Sequence, residues 1–159
     1  MKIKLLPLIA LALIIFSCKD VEEPSPNSQI EGVFLSSYEG NNAWINKKFN
    51  FVDLMKFNSN GTVTGESYTT ELNSDEILGY RGYFSGSYSI KEGKVIVSYG
   101  ELFHLGIEDV NYLPKEDLVL SEPTDFTSEY GIEEDYSELV TICSIYSICN
   151  GTSSYVRVE

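Results

Sequence analysis

The chain is poor in the residues that carry most enzyme chemistry. Its 159 residues include one His, three Cys, two Met and one Trp. It has no Gly-x-Ser-x-Gly turn, no His-Glu-x-x-His pair and no Gly-rich phosphate loop ending in Gly-Lys-Ser/Thr. The lone His104 stands in Leu102-Phe103-His104-Leu105, an apolar setting typical of packed rather than proton-shuttling histidines. No spacing sets a base beside a Cys or Ser nucleophile. The expectation is a protein without enzymatic activity, needing neither metal nor cofactor. Positive charge is scarce too, with 11 Lys and Arg against 24 Asp and Glu and a net charge of −13. A surface so acidic excludes electrostatic binding to nucleic acid or to anionic lipid. Long apolar runs are confined to Leu5–Phe16, twelve residues, where a spanning helix needs roughly 20.

That single run lies in an informative place. Met1–Lys4 is short and basic, the apolar run follows, and it closes on Ile15-Phe16-Ser17-Cys18. This is the layout of a secretory signal with a small residue before the cut. The Cys directly after it resembles the lipobox of bacterial lipoproteins. The resemblance implies removal of residues 1–17, a lipid on Cys18 and a membrane anchored through that lipid rather than spanned. The mature chain would carry nine Lys and Arg against 24 Asp and Glu, a net charge of −15. Residues 18–29 hold no aromatic and two prolines, and are expected to be the lipidated Cys and a disordered linker. Lys19-Asp20-Val21-Glu22-Glu23 resembles the acidic export signal of some outer-membrane lipoproteins. The implied location is the outer membrane, on its periplasmic face or at the cell surface.

From residue 30 to 159 the signals are those of strands and turns. Eleven Tyr and eight Phe accompany short β-branched runs, punctuated by Gly and Asn-Gly. Strands are expected at 30–38, 49–57, 62–70, 81–90, 94–99, 101–105, 117–121, 138–149 and 152–158. Asn58–Gly61, Lys91–Gly93 and Asn150-Gly151 are the turns between neighbours. Short helical turns are expected at most within 74–78 and 132–139. The expected fold class is all-β, an antiparallel up-and-down barrel or half-barrel of about eight strands. Three motifs, Gly32-Val33-Phe34, Phe57-Asn58-Ser59-Asn60-Gly61-Thr62-Val63 and Gly86-Ser87-Tyr88-Ser89-Ile90, resemble those of small lipocalin-like lipoproteins. The resemblance makes Gly32, Phe34 and Arg157 the fold signature, with Arg157 lying over the Phe34 ring.

Three further features bear on sites. Cys143 and Cys149 belong to an exported chain, where disulfides persist. Their spacing is too long for a bridge on a straight strand or a regular helix, so a bridge requires a bend, and the alternative is two packed free thiols. Glu122–Glu138 holds seven carboxylates and no Lys or Arg. It matches no calcium loop and reads as a solvated acidic loop. Trp44, Phe49 and Phe51 lie among Asn and Lys, and are the candidate ligand contacts at a barrel mouth. The expected role is a small-ligand-binding module of the cell envelope. The alternative is an acidic interaction or inhibitor protein that engages a basic protein partner.

Overall fold

A computed structural model describes residues 24–42, 47–107, 110–122, 125–143 and 153–159. Among them one short helix, α1 (Pro26–Ile30), precedes nine strands. These are β1 (Gly32–Asn42), β2 (Lys47–Phe57), β3 (Thr62–Glu71), β4 (Ile77–Lys91), β5 (Lys94–His104), β6 (Val119–Leu120), β7 (Thr127–Glu133), β8 (Glu138–Ile142) and β9 (Ser154–Arg157). Each long strand pairs antiparallel with its neighbour in the chain, and β9 returns to β1. The result is a closed, eight-stranded up-and-down barrel of the lipocalin-like kind. The two-residue β6 is an addition to the far half of β5, where Phe103 faces Leu120 and His104 faces Val119.

Period-two alternation selects which side chains fill the barrel. On β2, Phe49, Phe51, Asp53, Met55 and Phe57 share one parity, and Met55 and Phe57 sit in the buried core beside Phe34, Val63, Val95 and Leu139. The lower end carries the tight turns. Gly61 and Gly93 take positive φ there (85° and 73°), as the sequence turns require. Gly32 is a second kind of constraint. Its φ is 149°, and a Cβ there would collide with the Glu159 carbonyl, so the β1–β9 closure needs glycine.

Several sequence expectations change. Residues 26–29 are not part of a disordered linker. Ser25 caps α1 by accepting from the Ser28 amide at 3.2 Å, Pro26 suits the first turn, and Ile30 is fully buried as a plug under the barrel. The expected strands 94–99 and 101–105 are one strand, β5, bent by a bulge where Ser85 faces Glu101 and Gly86 faces Tyr99. The run 122–138 is not simply a loop. It contains β7, in which Tyr130 points into the core while Glu129 pairs outward with Lys94 at 3.3 Å. The strand expected at 138–149 ends at Ile142 among the described residues. Cys18, Trp44, Cys149 and the Asn150-Gly151 turn lie outside those residues.

Candidate functional site

The barrel interior divides into two levels. At the lower level rings meet edge to face: Phe34 and Phe57 at 5.6 Å, and Phe57 and Tyr88 at 5.1 Å between centroids. The Tyr88 hydroxyl donates to the Asn58 carbonyl at 2.8 Å. The Arg157 guanidinium lies 5.0 Å over the Phe34 ring and donates to the Gln29 carbonyl of α1. The signature trio Gly32, Phe34 and Arg157 therefore meets in one place, and with Ile30 it closes this end.

At the upper level the filling is incomplete. A cavity of about 250 Å³ remains between β2, β3, β4, β5, β7 and β9, lined chiefly by Asp53, Ser67, Phe84, Tyr99, Phe126, Tyr130 and Tyr155. Its polar centre arises from β2 and β4. Between Ser67 and Tyr68 the β3–β4 register shifts by one residue, which leaves Arg81 with no residue opposite. Arg81 reaches across β3 and donates from Nη2 to Asp53 Oδ1 at 2.7 Å and to the Val52 carbonyl at 3.1 Å. The guanidinium also lies 5.0 Å over the Phe51 ring. Both charged side chains are largely shielded, with about a fifth of each exposed (23% and 18%). The Arg81 Nε is buried without a partner among the described residues.

Three tyrosines complete the wall. Tyr99 donates to the Ser128 hydroxyl at 3.0 Å, and Tyr130 sits between those two groups. Burial pushes the Tyr130 phenol far above its ordinary value, and the nearby phenols of Tyr99 and Tyr155 add to the shift. Burial likewise raises Tyr155. The Asp53 charge pushes it further, and Arg81 partly opposes that. The Tyr130 and Tyr155 phenols thus remain neutral hydrogen-bonding groups near neutral pH.

Access comes through the wall. β1 and β9 pair only at Phe34–Arg157 and Leu35–Val156, and then part. The slot between them, about 880 Å³ and open to solvent, is lined by Ser36, Tyr38, Asp53, Ser154 and Val156 among others. Asp53 borders both slot and cavity. Part of the upper rim is covered. Tyr112 lies 6.0 Å from Phe49, and Thr69 donates to the Asn111 carbonyl at 3.0 Å.

The three candidate ligand contacts fare differently. Phe49 is only 1% exposed and lies beneath Tyr112, so it is core cover. Phe51 backs the Arg81 guanidinium and packs on Tyr38 at 5.4 Å, outside the cavity wall. Trp44 lies beyond the described residues. Cys143 is disulfide-bonded; its candidate partner Cys149 is outside the described residues. His104 is exposed, with Nδ1 2.7 Å from the Leu105 carbonyl. Among the described residues no cluster of three or more His, Cys, Asp or Glu is arranged to hold a metal. Sequence reasoning missed Asp53 and Arg81. A signal for Asp53 was present, since it is the one charge among the inward-parity residues from Phe49 to Phe57, between Phe51 and Met55. Compared with known proteins, the chain matches no family model and no curated protein.

Proposed function

We propose that this chain is a lipid-anchored envelope protein that binds a small ligand inside its barrel. One observation carries the reading: the upper interior holds a cavity of about 250 Å³ whose wall is largely aromatic and includes the Asp53 carboxylate. Binding sites of this type combine an apolar wall with a few placed polar groups. Eight strands enclose enough room for one small ligand.

The anchor fits this use. The chain from Cys18 to Pro26 reaches at most roughly 28 Å when fully extended, at about 3.5 Å per residue. It joins the barrel at α1, beneath the closed end. A lipid on Cys18 would therefore hold the closed end toward the membrane and leave the cavity facing away from it. Ligand would arrive from the aqueous side. The test is native mass spectrometry of the full-length protein extracted from cells in detergent. A retained small molecule, lost on denaturation, is the expected result. A homogeneous apo mass, with a co-purified basic protein instead, would favour the acidic-interaction alternative and sink this one.

A further inference from the structure

We infer that the cavity takes a neutral aromatic compound of one or two fused rings, which donates a hydrogen bond to the Asp53 carboxylate. This rests on the ligand-binding role proposed above and adds the ligand's chemical class and its anchor.

Size sets the first limit. An engineered apolar cavity of about 150 Å³ is known to hold benzene. A volume of about 250 Å³ has room for a fused two-ring compound. Wall chemistry sets the second. Phe84, Tyr99, Phe126, Tyr130 and Tyr155 present ring edges and faces, which pack best against another ring. Charge sets the third. The Arg81 guanidinium, 2.7 Å from Asp53 Oδ1, balances the carboxylate. A cationic ligand would have to compete with that guanidinium for Asp53, and an anionic ligand would meet the carboxylate. A neutral one avoids both penalties.

Hydrogen bonding then fixes polarity and direction. Asp53 Oδ1 accepts from Arg81, while Oδ2 has no partner among the described residues. A carboxylate oxygen only accepts, so the ligand must donate. Asp53 is the one carboxylate among the residues lining the cavity and so the strongest acceptor on this wall.

Indole and 1-methylindole separate the contributions, since they share a shape and differ in the N–H. The full-length protein in detergent is titrated with each by calorimetry, with micelle-only titrations subtracted. Indole should bind at least tenfold more tightly than 1-methylindole, as expected when a ligand covers a carboxylate oxygen without donating to it. In Asp53→Asn that preference should shrink. In Ser67→Leu, which fills the cavity from β3, both compounds should lose binding while the far-UV spectrum stays unchanged. Equal binding of the two probes to the wild type overturns the Asp53 anchor. Binding of neither also overturns the inference, and a retained molecule in the mass spectrum then decides separately whether the cavity is a ligand site. If Asp53→Asn does not fold, the two-probe comparison on the wild type still decides.

Discussion

The same eight strands build two interiors. Below Met55 the inward positions of β1, β2 and β3 are Phe34, Phe57 and Val63, each fully buried, and Ile30 seals the floor. Above Met55 the same strands offer Ser36, Asp53 and Ser67, and the space between them is not filled. Closure follows the same division. β1 and β9 are joined at the lower level through Leu35–Val156 and, lower still, through backbone bonds from Val33 to Glu159 and from Val158 to Val33. They separate above it. Stability is thus concentrated at one end, and the other end is left free to hold polar groups and a void. Binding sites are commonly found where a rigid base supports a less complete rim.

Substitutions in the lower level should be the most damaging. Phe57→Ala removes a fully buried ring that meets both Phe34 and Tyr88. It should cost about 3–5 kcal/mol, read as a drop in unfolding free energy by denaturant titration. A loss below 1 kcal/mol would mean the lower level is not the core of the barrel. Next in size is Ile30→Ala. Ile30 ends a five-residue helix too short to be stable alone, so its burial must come from docking on the barrel floor. The expected cost is about 2–4 kcal/mol. An unchanged midpoint would return residues 26–29 to the status of a tether.

These two sites show how far the sequence could be read. The turns at Asn58–Gly61 and Lys91–Gly93, the all-β class and the meeting of Arg157 with Phe34 followed from local turn chemistry, alternation and a family pattern. β7 did not, because its outward Glu129 and Glu133 masked the inward alternation of Tyr130 and Ile132. α1 did not, because one buried Ile after a proline-rich stretch carries no periodicity. The candidate site was the least legible part. Asp53 and Arg81 are joined only by the β2–β3–β4 register and by a one-residue bulge beside Tyr68, and a bulge leaves almost no mark in sequence.

Tyr130 sits at the boundary of the two levels and gives an intermediate, pH-dependent effect. Its phenol is held far above the ordinary value of 10.0, mainly by burial. In the unfolded chain the phenol releases its proton near pH 10, while the folded protein keeps it. Between those points the unfolded state binds fewer protons, so stability falls as pH rises. The protein should hold full stability below about pH 9 and lose it steadily above pH 10. Tyr130→Phe should flatten that decline, and Tyr155→Phe should do so as well. Melting temperatures between pH 8 and 11.5 measure it. Parallel declines for wild type and both variants would show that neither phenol is buried in solution.

The smallest stability effect is expected from the same kind of deletion as Phe57→Ala, made in the upper level. Phe126 is an aromatic ring on the cavity wall, 5.5 Å from Tyr99, yet it is 55% exposed. Its removal leaves no closed void and returns little apolar area to water, so Phe126→Ala should cost less than about 1 kcal/mol. Its effect should instead appear in ligand retention, since the cavity loses a ring of its wall beside Tyr99 and the bound molecule leaves faster. A folded Phe126→Ala protein with near-wild-type unfolding free energy and a reduced retained mass would separate the two levels by function. A loss as large as that of Phe57→Ala would show that the upper wall is part of the core, and the division between a stabilising floor and a binding rim would have to be abandoned.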